Sequence, residues 1–515
     1  MTITDFLRPL TRADDLSVPD RSRFGMGVLL AVLAAAVAFR LWLLAVTDFP
    51  IADGALFYEF VRAIERTFPG LPDAVRYNGL VLPFGYPPLS FWLAALLVEL
   101  GFEALNVVRA MPIAMNIGYV LLFALLLVRS GQSRLFAGLA VLFLITRLRG
   151  FEWLVMGGGL SRGLGSLFFL ATLLAVGVPH EREVRPMTFR RAALAGVCVG
   201  LAMLSHLEWG LLAATTLLWS RALGAQDLRS FVLTSLVAGL IAILLVVPWA
   251  GSVVANHGLA PFLAAGDSSE WGFPADQLLS LLRIPGLNPF IGLGAVALFF
   301  HRRWFWLGFL FICVFVTPRG APTQWTLPLS VFAAQGVLTA IAFLRALTGR
   351  RKLAAGLAAA AVLAVVGVRS YRDFTISGRF VEPLDPARRG VMAWVARHEP
   401  NARYAVLTDK PWYYDSSAEW FPTLARARSV TTVQGREWLS GKASYQRYQS
   451  LDEAMKPPGG DQPDCAALRR ALAAFGPSDY LWVEARRECF PASVYRPVYA
   501  SPQVLILRTP SGGPA

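Results

Sequence analysis

The chain has 515 residues, 55% of them hydrophobic, and a formal net charge of +14 at pH 7. So apolar a composition, with a mean hydropathy of +0.51, excludes an ordinary soluble enzyme, and the apolar residues fall in blocks of about 15–23, a length that crosses or nearly crosses a bilayer. In such a protein excess Arg and Lys reports cytoplasmic loops before it reports nucleic acid, so membrane lipid is an implied partner and nucleic acid is not.

The first apolar block, Phe24 to Val46, follows Arg8, Arg12, Arg21 and Arg23. It is too long for a signal-peptide core and reads as an uncleaved span whose N-terminal segment, 1–24, is cytoplasmic. Next comes a long loop, 48–106. Within it "DGALFYEFVRAIER" opens on Asp53 and repeats Phe57, Phe60, Val61 and Ile64 at helical spacing, which predicts an amphipathic helix able to lie on a membrane. The stretch "PPLSFWLAALLVELGF", 87–102, predicts a second helix. At 16 residues it reaches only about 24 Å against a hydrocarbon core of about 30 Å, so it reads as interfacial, the alternative being a true span offset by a half-span elsewhere.

Ten further apolar blocks follow, near 107–129, 134–147, 160–178, 191–206, 208–221, 230–250, 287–301, 303–317, 325–345 and 352–369. Their connections alternate in character. Those at 129–134, 180–191, 221–230, 301–304 and 345–352 are basic; those near 148–162, 205–209, 251–285 and 318–324 are rich in Gly, Pro, Trp and acids. With the basic set inside, the chain closes at about eleven spans in a membrane domain, 25–369, and residues 370–515 lie outside. That last part mixes β-like runs ("YAVLT", "YLWVEA", "QVLIL") with the helical "CAALRRALAAFG" and reads as a soluble α/β domain. Its Cys465 and Cys489 fall where a disulfide persists, their pairing being left open; Cys198 and Cys313 fall in spans as packing residues.

The candidate chemistry gathers in the connections expected outside. Asp53 stands within a few residues of the lipid edge, where a carboxylate is costly unless paired, solvated or used; its structural role would be to cap the helix that follows. In "RLRGFEWLVMGGGLSRGLG", 147–165, Glu152 is the one acid, Arg162 opens the next block, and the glycines let backbone approach a ligand closely. "SHLEWG" carries His206 and Glu208, which with Asp53 make a candidate site for a divalent metal ion. Arg319, in "TPRGAPTQWTLPL", suits a phosphate because guanidinium matches its oxygens bidentately. Tyr58 and Tyr86 complete the candidate substrate-binding set. In the C-terminal part, "YYDSSAEWFPTL" and "TVQGREW" suit either a glycan surface or a domain core. There is no Walker-type loop, no strand-linked G-x-G-x-x-G and no H-E-x-x-H, which leaves ATP-driven transport and zincin proteolysis without support.

Four features in order resemble the GT-C class of integral-membrane glycosyltransferases, which includes the protein O-mannosyltransferases and the lipid A aminoarabinose transferase. They are Asp53 just after the first span, "YPPLSFW" (86–92) late in the same loop, the "NVVRAMPIAMNIGYVLLFALLLVRSGQSRLFAGLAVLFLI" pattern of span, basic turn and span, and a soluble domain after the spans. The resemblance implies a sugar carried on polyprenyl phosphate and moved, with inversion, to a glycan, lipid or protein acceptor outside an inner membrane. It also implies Asp53 as base or metal partner and a second acid in the next external loop. Here that loop offers only Glu152, which precedes "LSR" instead of following an Arg-containing stretch. The rival is a non-catalytic scaffold or lipid- or glycan-binding protein of envelope assembly. A transporter should carry acids inside its spans, and these spans are nearly free of them.

Overall fold

In the computed structural model, which describes residues 23–179, 187–224, 227–268, 288–377, 382–436, 439, 441–455 and 464–510, each of the eleven apolar blocks is a helix. Residues 1–22 of the expected cytoplasmic segment, and 180–186 and 269–285 of two expected loops, lie outside the described residues. The first block is α1 (Arg23–Val46). The long loop then builds α2 (Ala55–Thr67), a hairpin of β1 (Ala74–Tyr77) and β2 (Leu80–Pro83), and α3 (Leu89–Glu99). At 11 residues α3 is about 16 Å long, well short of a span.

The bundle continues as α4 (Ala104–Arg129), α5 (Arg134–Ile145), α6 (Gly159–Val176), α7 (Phe189–Ser205), α8 (Leu207–Gly224) and α9 (Leu228–His257). After a short α10 (Ala260–Ser268) come α11 (Pro289–Phe300), α12 (Trp304–Val316), α13 (Thr326–Thr348) and α14 (Arg351–Ser377). Among the described residues, six helices are long and apolar enough to cross a membrane: α1, α4, α6, α9, α14, and α13 with the one-turn helix before it. The other five blocks are shorter or more polar, so eleven helices do not amount to eleven demonstrated crossings.

Local chemistry sets where these helices begin. Ser133, Thr188, Asp227 and Asn288 each stand at an N-cap and accept from a backbone N–H of the first turn of α5, α7, α9 and α11. Small residues then set how closely the helices cross. A Cβ added at Gly294 would stand 2.6 Å from Phe332 C, and one at Gly336 would stand 2.7 Å from Phe290 C. Helices α11 and α13 therefore touch backbone to backbone, the contact that lets apolar helices pack where lipid offers no hydrophobic drive.

Beyond α14 lies a five-stranded sheet with helices on both faces. Its elements are α15 (Pro386–His398), β3 (Arg403–Leu407), α16 (Ser416–Ala425), β4 (Arg428–Ser429), α17 (Gly441–Met455), α18 (Cys465–Ala473), β5 (Tyr480–Val483), β6 (Arg496–Ala500) and β7 (Leu505–Arg508). The strand order is β4-β3-β5-β7-β6, parallel across β4, β3 and β5 and antiparallel beyond. The period-2 alternation of strand side chains sorts the two faces. Tyr404, Val406, Tyr480, Trp482 and Ile506 join one core with α15 and α16. Ala405, Leu407, Leu481, Val483 and Leu507 join another with α17 and α18.

The first of these cores does not stop at the domain. It runs on through Phe49, Leu56, Phe60 and Ile64 of the long loop, so loop and sheet form one packed body. Polar contacts fix the join. Arg389 pairs with Asp48, Ala52 N donates to Glu382 O at 3.1 Å, and Asn78 of the hairpin turn exchanges hydrogen bonds with the backbone of Ser429.

Cys465 and Cys489 form a disulfide, with Cα atoms 4.9 Å apart, that ties α18 to the turn after β5; Cys198 and Cys313 are buried free thiols. The bridge spans 24 residues of sequence, so changing both cysteines to Ser should lower the unfolding free energy of the sheet region by about 3 kcal/mol. Thermal or urea unfolding of the full chain in detergent checks this. An unchanged midpoint would show that the bridge contributes nothing to that region's stability.

Candidate active site

Leaving α1, the chain turns back over the end of the bundle and presents Asp53 between two residues in unusual conformations. Ala52 has φ 50° and Gly54 has φ 128°. Such backbone persists only where surrounding contacts over-determine it, and here they do. Gly54 N donates to Glu419 Oε1 of α16 at 2.9 Å, and Gly157 N donates to Ile51 O at 3.0 Å.

The carboxylate itself is held across two loops. Asp53 Oδ1 accepts from Gly158 N at 2.6 Å, at the start of α6, and Oδ2 faces Arg162 Nη2 at 3.4 Å. The expected cap of the next helix is thus replaced: α2 has Gly54 at its N-cap with no side-chain bond, and Asp53 sits instead at the N-terminus of α6, where a negative charge is favoured. The Gly157–Gly159 run serves this contact. A Cβ on Gly158 would collide with the Asp53 carboxylate, and one on Gly157 with Asp53 O and, at 2.7 Å, with Gly54 Cα. The close approach that the glycines permit is to Asp53's own loop. Burial pushes the Asp53 carboxyl above the ordinary range; Arg162 and the Gly158 N–H draw it back without cancelling the rise.

Asp53 opens onto a cavity of about 220 Å³ at the junction of bundle and sheet domain. Five chain segments converge there. The long loop contributes Asp53, Phe57 and Tyr86; the 148–162 connection contributes Arg149, Trp153 and Arg162. His206 and Glu208 come from the break between α7 and α8, and Arg319 from the connection after α12. Tyr86 Oη lies 3.3 Å from Ser161 Oγ, and the Tyr86 ring lies against His206. Burial, reinforced by Arg162 and Arg319, pushes His206 down to about 3, so it is a neutral imidazole.

The sheet domain supplies the fifth segment: Trp412, Tyr413, Glu419 and Gln434. Sequence reasoning placed none of these individually. The signal for Tyr413 and Glu419 is the acidic and aromatic stretch 413–424 and for Gln434 the stretch 432–438, and both readings of the first stretch hold. Tyr414, Trp420 and Phe421 are buried core, whereas Tyr413 and Glu419 reach the cavity.

Two expected residues stand elsewhere. Glu152 is buried behind the cavity wall, its Oε1 2.9 Å from Arg149 Nη1. Arg149 and Trp153 both donate to Tyr414 Oη, at 3.2 and 3.1 Å, and Arg162 stacks 4.8 Å over the Trp153 ring while its Nε donates to Trp153 O. Glu152 is thus one layer back, steadying residues that do line the site, and the acids that share the cavity with Asp53 are Glu208 and Glu419. Tyr58 is a correction as well. Phe57 lines the cavity, and one residue further along α2 the side chain is turned by about 100°; Tyr58 lies against Trp420.

Asp53, His206 and Glu208 share the cavity but do not make a metal cluster. Among the described residues no three His, Cys, Asp or Glu side chains gather to hold an ion. Asp53 already faces an N–H and a guanidinium, which take up the oxygens a metal would need. The donor set does not fit the expected metal, and no step below uses one.

Comparison with known proteins bears on the fold. No family model and no curated protein matches the sequence. Solved structures do. The archaeal oligosaccharyltransferase AglB from Archaeoglobus fulgidus, in complex with an inhibitory peptide and a dolichol-phosphate, aligns with a TM-score of 0.56 at 13% identity, over 91% of this chain and 70% of its own. ArnT from Cupriavidus metallidurans, bound to undecaprenyl phosphate, aligns with a TM-score of 0.51 at 13% identity, over 95% of this chain and 100% of its own. Both are GT-C glycosyltransferases, and the chain has their fold along most of its length.

Proposed function

We propose that this chain of GT-C fold is a membrane glycosyltransferase that moves a monosaccharide from a polyprenyl-phosphate donor to an acceptor hydroxyl on the external face of an inner membrane. One observation carries the reading: a single cavity joins a held carboxylate to three guanidinium groups under an aromatic wall from the sheet domain. The lipid phosphates bound by the two structural neighbours support the donor class.

The chemistry follows from the groups present. The acceptor oxygen attacks the anomeric carbon as the bond from that carbon to the phosphate oxygen breaks. The bonding pair leaves on the phosphate, giving polyprenyl phosphate, and the acceptor proton passes to Asp53. A phosphate leaving group needs its growing charge stabilised more than it needs a proton, and guanidinium groups placed beside it supply that. Arg319, exposed at the cavity edge, is assigned to the phosphate. Arg162, clamped between Asp53 and Trp153, aims the base. Trp412 and Tyr413 offer flat apolar faces to a sugar or acceptor, and Glu419 anchors the Asp53 loop through Gly54 N.

Release of sugar from a polyprenyl-phosphate donor by the purified full-length protein tests the reading. Arg319→Lys keeps the charge but loses the two-pronged fork, so turnover should fall by about tenfold or more. Arg319→Ala with unchanged donor affinity and rate would remove Arg319 from the site. A well-folded parent protein that binds the lipid donor and never turns it over would favour the scaffold.

A further inference from the structure

A second cavity, of about 560 Å³, lies at the other end of α6. Arg162, at the first site, and Val176, at this one, are 14 residues apart on that helix, which is about 21 Å. Here the ends of α4, α6 and α8 meet the start of α7, and Arg129, Arg191 and Arg221 line the space. Arg302 and Arg303, on a neighbouring cleft that shares Ser130, Val178 and Pro179 with it, extend the basic rim.

The three arginines are not equivalent. Arg191 is committed: its Nε and Nη2 donate to Ala175 O and Val176 O, satisfying the last carbonyls of α6. Arg129, in the last turn of α4, is exposed. Arg221 is 5% exposed, and its buried Nε has no hydrogen-bond partner among the described residues. Among the described residues, the charged groups acting on it are Arg191, of like sign, and Asp227, whose Oδ1 already caps α9 by accepting from Ser230 N at 2.6 Å. A buried guanidinium beside a second one is costly unless an anion sits between them.

One wall shows what kind of anion suits the space. Leu125 and Val128 of α4 line the cavity, and with Leu121 they form an exposed apolar stripe at helical spacing. The cavity therefore opens sideways onto the apolar flank of the bundle, where acyl chains would lie. Basic pockets between membrane helices take up acidic headgroups in this way.

The geometry points to a binding site for the phosphate of an anionic phospholipid, held by Arg221 and Arg129 with the acyl chains on α4. It is separate from the Asp53 cavity and independent of the reaction assigned there. The test is native mass spectrometry of the full-length protein in neutral detergent. The probes are dihexanoyl phosphatidylglycerol, dihexanoyl phosphatidylcholine and inorganic phosphate. Phosphatidylglycerol should bind at least about tenfold tighter than either of the others. Arg221→Gln should weaken it by about ten- to hundredfold. Arg129→Gln, at an exposed position, should weaken it by a smaller factor. Equal binding of the two lipids, or unchanged phosphatidylglycerol binding in both variants, overturns the site. Inorganic phosphate binding as tightly as phosphatidylglycerol overturns the lipid assignment in favour of a soluble phosphate.

Discussion

Asp53→Asn is expected to fold as the parent protein does and to lose about a hundredfold or more of its sugar-transfer rate. Folding should survive because Asn keeps the oxygen that accepts from Gly158 N, and Arg162 remains held by the Trp153 carbonyl and ring. What disappears is the negative charge and with it the capacity to take the acceptor's proton. The parent's pH profile carries the same signature. Burial raises the Asp53 carboxyl, and a base works only when ionised. The rate should therefore fall as pH drops through that raised value, at higher pH than an ordinary carboxylate would give, and Asp53→Asn should lose this limb with the activity. Sugar release in detergent, with monodispersity as the folding control, decides the matter. Full activity in a well-folded variant would leave Asp53 as the cap of α6 and nothing more.

The second large effect is expected from a single methyl group. Gly157→Ala places a Cβ against Asp53 O and Gly54 Cα. Both are backbone atoms of a loop that Gly54 N and Ala52 N already pin to the sheet domain, so no flexible side chain can give way. Either α6 or the Asp53 loop must shift, and a displacement near 1 Å at a reacting group can cost about a hundredfold in rate. The overpacking should also destabilise the protein by about 1–3 kcal/mol. Gly27→Ala is the matched control. Gly27 is a helical glycine with nothing within 4 Å of an added Cβ, where Ala should be neutral or slightly stabilising. Equal activity of the two variants would show that the close contact between residues 53–54 and 157–158 is not what positions the carboxylate.

The hairpin shows how a local signal can be present and unused. Asn78-Gly79, both at positive φ, form the turn between β1 and β2. Asn-Gly between apolar runs is a strong short-range hairpin signal, although the helical periodicity of 48–106 predicts only two helices in that loop. The consequence is tertiary: the turn docks on β4 through Asn78 and Ser429.

What the sequence determined by itself is what depends on local composition and period. Eleven apolar blocks became eleven helices because burial in an apolar medium and hydrogen bonding within one segment are local demands. The alternation of basic and Gly- or acid-rich connections sorted the turns. Among the described residues, 129–131, 177–179, 221–224 and 302–304 converge at one end of the bundle, and those carrying Asp53, Arg162, His206, Glu208 and Arg319 meet at the other. The strands "YAVLT", "YLWVEA" and "QVLIL" likewise followed from their own period. Only the tertiary structure decided which acids share a cavity. Glu152 is 99 positions from Asp53 and Glu419 is 366 positions from it, yet it is Glu419 that binds Gly54 N. Spacing along the chain carries no information about that choice. It arises where α16 packs on the long loop through a shared apolar core, and long-range packing of that kind sets which side chains meet only once the whole fold has formed.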